Sequence, residues 1–230
     1  MSSVITHRIP LYGNGATLDL PWAETITGVG PPTVGYVSEL AGVSGGIELA
    51  LEATSEVQNA SLHWGDSLTL DIRRLKYVEF LVDVTVALGT TAATTQFAFG
   101  LASERNDAID SIAEAILFRC LGSTTVVYEY DDGTNTADDQ STGGLTLSTS
   151  NGPKRFGIDF REGVDKVQLK MDNDDGYFET VATGLDMSAY TAATGGLQPY
   201  AQIQKAANTD VGTIVLADFL RLDLETDMSG

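Results

Sequence analysis

The chain has 230 residues and a net charge of −19 at neutral pH, from 32 acidic against 13 basic residues. Such a field repels nucleic acid, whose capture rests on Lys and Arg displacing counterions, so direct DNA or RNA binding is excluded as a function class. Hydrophobic residues make up 43 % of the sequence, enough for a core, yet no run approaches the ~20 apolar residues of a membrane span.

The opening residues 1–8 hold no basic region followed by an apolar run. No signal peptide is therefore expected, and the protein is expected to be made in the cytoplasm and to stay soluble. Residues 1–46 carry Pro10, Pro21, Pro31 and Pro32 among closely spaced glycines. That composition cannot sustain a helix and permits only short strands, such as 17–20 and 33–37. It reads as an extended N-terminal arm that packs on, or reaches beyond, a main domain over 47–224.

From Gly46 onward the signal has period two. Val78, Phe80, Val82, Val84 and Val86 share one face of a strand over 77–86, opposite Glu79, Asp83 and Thr85. Phe156, Ile158 and Phe160 alternate with polar or small residues, as do Val167, Leu169 and Met171, and then Leu220, Leu222 and Leu224. Together with Phe97, Phe99 and Phe118 these form the expected core. Further strands fit 47–52, 68–72, 96–102, 115–121, 126–131, 145–148, 177–182, 200–205 and 213–217. One helical turn is expected over 106–114, capped by Asn106 or Asp107, with Ile109, Ile112 and Ala113 on its inner face. Asp132-Gly133 and Asp175-Gly176 supply the positive φ of tight hairpins, 134–144 reads as a polar loop, and 225–230 as a fraying tail. About a dozen strands with almost no helix give an all-β fold, a single jelly-roll β-sandwich. The lone Cys120 lies in an apolar run and reads as a small buried hydrophobe rather than a thiol for chemistry.

Catalytic constellations are wanting. The run Glu129-Tyr130-Asp131-Asp132-Gly133-Thr134 resembles the Glu-x-Asp-x-x-Glu strand of laminarinase-like glucanases, whose alternate carboxylates act as nucleophile, helper and acid. Here the last glutamate is replaced by Thr134 and the chain has already turned at Gly133, so no enzyme activity is expected. No Gly-x-Ser-x-Gly elbow or phosphate-binding Walker loop occurs. His7 and His63 stand in the arm and in a turn-like stretch, without zinc-ligand spacing. No catalytic or cofactor-binding residue is assigned. Calcium is the one ion with candidate ligands, Asp172, Asp174 and Asp175, and the Asp131-Asp132 and Asp138-Asp139 pairs are also oxygen-rich. Asp-rich hairpins equally serve as plain turns. Trp22, Trp64, Tyr128, Tyr130, Tyr177, Tyr190 and Tyr200 are candidates for stacking on sugars, although strand aromatics more often fill cores.

The second half carries a more specific pattern. Phe97-Ala98-Phe99-Gly100-Leu101-Ala102, Phe118-Arg119, the Asp131–Thr134 turn and Lys154-Arg155-Phe156-Gly157-Ile158-Asp159-Phe160 precede Leu197-Gln198-Pro199-Tyr200-Ala201-Gln202-Ile203-Gln204-Lys205, and Asp218-Phe219-Leu220-Arg221-Leu222 closes it. This series resembles the concanavalin-A-like sandwich of structural proteins of tailed bacteriophages. The resemblance implies a virion structural protein, foremost a capsid-decorating (cement) protein on the outside of the head. Its implied partners are the major capsid protein and further copies of the chain, as a homo-oligomer with a trimer as the expected state. The alternative is a glycan- or receptor-binding tail-fibre module, against which stands the lack of a fibrous repeat. No membrane or nucleic-acid partner is implied.

Overall fold

The computed structural model describes the chain except for residues 1, 12–20, 31, 38–44, 67–69, 90–93, 151, 174–176, 191–195, 218 and 228–230. In chain order the described strands are β1 (Ser2–Pro10), β2 (Ala23–Thr27), β3 (Thr33–Val37), β4 (Gly46–Leu51), β5 (Glu56–His63), β6 (Leu75–Val86) and β7 (Gln96–Ala102). A 3-10 turn (Ile109–Ser111) precedes β8 (Ala115–Leu121), β9 (Thr125–Asp131), β10 (Thr136–Thr146), β11 (Lys154–Asp159) and β12 (Val167–Asp172). The series ends with β13 (Phe178–Leu185), β14 (Gln198–Asn208), β15 (Gly212–Ala217) and β16 (Phe219–Asp227). They form a two-sheet antiparallel sandwich of the jelly-roll kind.

The first sheet runs β13-β12-β11-β6-β15-β4-β3, and the second β10-β9-β8-β7-β14-β5-β2. β6 organises the first. One edge pairs with β11, while the other is shared end to end by β15 (Val82 to Val86) and β16 (Leu75 to Glu79). β4 and β1 repeat that division one strand further out, pairing with β15 and β16 respectively.

The expected arm is, in its described strands, drawn into both sheets of the sandwich. β1, β2 and β3 all lie within residues 1–46, and each hydrogen-bonds a strand of the main body. A Pro/Gly-rich segment can do this because edge strands pair along one side only. The short strand expected over 33–37 is β3; the one over 17–20 lies outside the described residues. The polar loop expected over 134–144 is mostly β10, whose register on β9 shifts twice. An exposed edge strand needs no apolar alternation, so pattern alone could not reveal it. Of the strand expected at 68–72, residues 68 and 69 lie outside the described residues, and among 70–72 there is a single bridge, Leu70 to Leu197. Val86, assigned to the core face, is exposed at the end of β6, and Ala113 is exposed beside the 3-10 turn.

The remaining core expectation holds residue by residue. Val78, Phe80, Val82, Val84, Phe97, Phe99, Phe118, Phe156, Ile158, Phe160, Val167, Leu169, Leu220 and Leu222 are all buried. At the centre the sheets interlock through phenyl rings. Phe99 meets Phe156 edge-on at 4.7 Å and stacks on Phe97 at 5.0 Å, and Phe156 also meets Phe118 at 5.0 Å. Cys120 is buried beside them, its thiol pushed up to about 12 by desolvation, as befits an inert hydrophobe.

The second sheet is buried on both faces at its middle. Every residue of β7 is buried, and its outward Ala98 and Ala102 pack with Leu117, Tyr200, Ile109 and Ile112 in a second small core. The segment between β7 and β8 thus roofs the sheet. Gly100 is required here: a Cβ on it would stand 2.3 Å from the Ile116 carbonyl oxygen, at a φ of +151°.

On the outer face of the first sheet, buried Asp159 accepts from Arg161 Nε at 2.8 Å and from Lys170 Nζ at 2.8 Å. Burial pushes its carboxyl up, but these hydrogen bonds outweigh it and hold the group well below the usual aspartate range. A depressed folded-state pKa adds stability above the unfolded value, and that stability is lost as pH falls toward the folded one. Asp159→Asn is therefore expected to cost about 1 kcal/mol at pH 7, modest because Arg161 is exposed, and to flatten the acid limb of a urea-stability profile below about pH 4. Phe99→Ala, by contrast, is expected to cost about 3–5 kcal/mol at every pH in the same urea titrations.

Candidate functional site: an acidic cleft beside Arg119

The run Ala115-Ile116-Leu117-Phe118-Arg119-Cys120-Leu121 of β8 sends Ile116, Phe118 and Cys120 into the main core. Period two therefore sends Arg119 to the roofed face. It is 1 % exposed, and a charge so far from water must be paired. Its Nη1 donates to Glu129 on β9, and its Nη2 donates to Asp110 Oδ1 at 2.6 Å on the 3-10 turn and to Gln96 Oε1 at 2.8 Å on β7. Asp139 and Asp138 of β10 stand 3.6 and 3.8 Å from Nη1. One guanidinium thereby joins β7, β8, β9, β10 and the roof.

Carboxylates outnumber it four to one. Burial pushes the Glu129 carboxyl up, Arg119 pulls it partly back, and Asp110 and Asp138 add repulsion, leaving it raised to about 7. Asp139 is raised for the same reasons, burial first. For Arg119, burial opposes the charge, but Glu129 and Asp110 outweigh it and hold the guanidinium more firmly protonated.

Beside this cluster opens a cleft of about 230 Å³. Ile109, Ile112 and Ala115 give it an apolar wall, and Asp110, Glu129, Asp131 and Asp138 give it acceptors, while Tyr130 and its cross-strand partner Ala137 border it with the Tyr130 ring packed against the main core. The hairpin that shapes it is rigidly tied. Asp132 is buried and accepts from the backbone N–H groups of Thr134, Asn135 and Ala189 and from Asn135 Nδ2. Burial works against the Asp132 carboxylate, yet these donors hold its pKa below the usual value. Gly133, at a φ of +86°, makes the turn that the Asp-Gly pair implies.

The three carboxylates Glu129, Asp138 and Asp139 lie close enough for one cation, their ligand atoms within 4.8 Å of one another. They do not fit one. Arg119 Nη1 already bonds Glu129 and faces both aspartates, so an ion among these oxygens would abut a fixed positive charge. Of the sequence-based calcium candidates only Asp172 is among the described residues, Asp174 and Asp175 lying outside them. Both oxygens of Asp172 accept from Arg155, at 2.9 Å from its Nη2 and 3.1 Å from its Nε.

Other candidates sort by burial. Glu129 and Asp131 do share the cleft, as alternate residues of β9 should, while Thr134 lies beyond in the turn. His63 ends β5 rather than lying in a turn; it is buried, bonded to Thr25 Oγ1 at 2.9 Å, and accepts from the Gly65 N–H. Trp22 and Trp64 meet edge to face at 6.0 Å inside the core, and Tyr190 and Tyr200 are buried as well. Among the aromatic candidates Tyr128 and Tyr130 pack against the main core, Tyr130 at the border of the cleft, and Tyr177 is exposed. Arg119 and Asp110 were missed as site residues. The available signal was a lone arginine inside an otherwise apolar strand.

In fold the chain is similar to a protein of unknown function from Shewanella oneidensis MR-1, with a TM-score of 0.58 and 11% identity over 100% of this chain and 89% of that one. It is also similar to the carbohydrate recognition domain of Emp47p, with a TM-score of 0.56 and 13% identity over 95% of this chain and 94% of that one. The exoplasmic/lumenal domain of VIP36, solved in a Ca2+/Man3GlcNAc-bound form, gives a TM-score of 0.52 and 9% identity over 96% and 90% of the two chains. No protein-family model and no curated protein matches the chain. At such identities the likeness establishes the fold.

Removing one partner of a buried ion cluster strands the others. Arg119→Met is expected to destabilise the protein by about 3–5 kcal/mol. The double variant Arg119→Met/Glu129→Met is expected to recover most of that loss, since it leaves no buried unpaired charge. Chemical denaturation of the two variants, compared in one cycle, measures the coupling.

Proposed function

We propose that the protein is a non-enzymatic carbohydrate-binding sandwich whose ligand enters the cleft between the 3-10 turn and the β9–β10 hairpin. The observation that carries this reading is the composition of the cleft. Sugars present hydroxyl groups on their edges and C–H groups on their faces, and a site for them needs acceptors beside an apolar or aromatic wall. Asp131 and Asp138 supply the first, and Ile109 and Ile112 the second. The fold supports the reading in kind, because two of the proteins it is similar to are a carbohydrate recognition domain and a domain solved with a bound glycan.

Binding without turnover follows from how the carboxylates are held. A glycosidase acid must deliver its proton to a leaving group, whereas Glu129 is tied to the Arg119 guanidinium. The sequence-based alternative of a glycan- or receptor-binding module thus has more behind it than capsid decoration, which rests on the resemblance to phage structural proteins alone. Calcium, present in the VIP36 structure, has no counterpart in this cleft because Arg119 stands in a cation's place.

A glycan array followed by calorimetry tests the reading. The wild-type protein is expected to retain a defined set of glycans. Thr136→Trp, which fills the cleft from an exposed position opposite Asp131, is expected to weaken them at least about tenfold, roughly 1.4 kcal/mol, with unchanged circular dichroism. Undiminished binding by a folded Thr136→Trp variant would place the site elsewhere.

A further inference from the structure

We infer that the cleft selects a cationic, amino-bearing sugar over neutral and acidic ones. This inference rests on the carbohydrate-binding reading and narrows its ligand class.

The charge around the cleft is one-sided. Asp110, Glu129, Asp131 and Asp138 line it, and none of the residues lining it is basic. Arg119 is sealed behind this group at 1 % exposure, its Nη1 and Nη2 bonded to Glu129, Asp110 and Gln96 and its Nε buried. It neutralises carboxylates from behind and presents nothing to a ligand. Asp131 keeps a free carboxylate edge, since one of its oxygens accepts from the Gly133 N–H at 2.7 Å. Asp138 is the most exposed member, with 83 % of its side chain in water and Arg119 no nearer than 3.8 Å.

A uronic or sialic acid entering here would bring its carboxylate against several others with no compensating donor cation. A neutral sugar would gain ordinary hydrogen bonds. A protonated sugar amine would gain charge-assisted hydrogen bonds to Asp131 and Asp138, roughly twice as strong as neutral ones. The apolar wall of Ile109 and Ile112 meanwhile receives the ring face and separates such a ligand from a simple polyamine. The volume of about 230 Å³ is small, so a short segment of chain suffices as a probe.

Isothermal calorimetry with four tetrasaccharides provides the test: glucosamine, N-acetylglucosamine, glucose and galacturonate oligomers, at pH 6 in low and high salt. The glucosamine tetramer is expected to bind about tenfold tighter than its N-acetylated form in low salt, with the advantage shrinking in high salt and galacturonate failing to bind. Because the whole protein is anionic, charge alone must be controlled for. Asp131→Asn/Asp138→Asn is expected to abolish the glucosamine preference, while Glu162→Gln/Glu179→Gln, equal in charge and remote from the cleft, is expected to keep it. Equal loss in both double variants would mean diffuse attraction of a polycation and overturn the inference. Neutral or N-acetylated oligomers binding as well as glucosamine would also overturn it, while leaving a carbohydrate site in place. Binding of none of the four would overturn the inference, with array hits deciding separately whether the cleft binds other sugars.

Discussion

The middle of the second sheet has no wet side, and that constraint shapes everything above it. β7 and β8 must bury phenyl rings inward against Phe80 and Phe156, and their outward residues must be covered too. The chain covers them with the segment that links the two strands, so roof and sheet come from one stretch of sequence. Small residues allow it: Ala98, Gly100 and Ala102 keep β7 low enough for Ile109 and Ile112 to pack down. Where the apolar cover ends, Arg119 is left buried. A buried guanidinium demands carboxylates, and they gather from the roof, β9 and β10. The acidic cleft is the visible edge of that demand.

This origin explains why the cluster resembles a catalytic or metal centre without being built as one. Its carboxylates converge because an arginine needs them. Burial, with the repulsion of their surplus added, raises Glu129, while Asp131 and Asp138 line the cleft and are available to a ligand. Packing and binding are thus linked through one residue, while the tied Asp132 turn keeps the far wall of the cleft in place.

The inward half of the fold was legible in the sequence because burial on one face imposes period two. Phe156-x-Ile158-x-Phe160 and Val167-x-Leu169 declare their strands without further help, and each of those residues is buried. The edges were not legible. β10 reads Thr-Ala-Asp-Asp-Gln-Ser-Thr-Gly-Gly-Leu-Thr and pairs through its backbone alone along one side, so its side chains carry no pattern. β1 and β2 were hidden for the same reason, behind a composition rich in proline and glycine. In the site, Glu129 and Asp131 stood out as alternate carboxylates on one strand. Asp110 did not, and Asp138 stood out only as half of an oxygen-rich pair, because only tertiary folding brings the roof and the hairpin to Arg119.

The central claim is that one cleft, between the 3-10 turn and the β9–β10 hairpin, receives a sugar. Backbone amide NMR of the labelled protein, titrated with a glycan that it retains on an array, locates the contact directly. Shifts concentrated at residues 109–115, 129–131 and 136–138 are the result this account requires. Shifts centred instead on the exposed face of the first sheet, around Tyr77, Arg155 and Lys170, with the cleft amides unmoved, would contradict it.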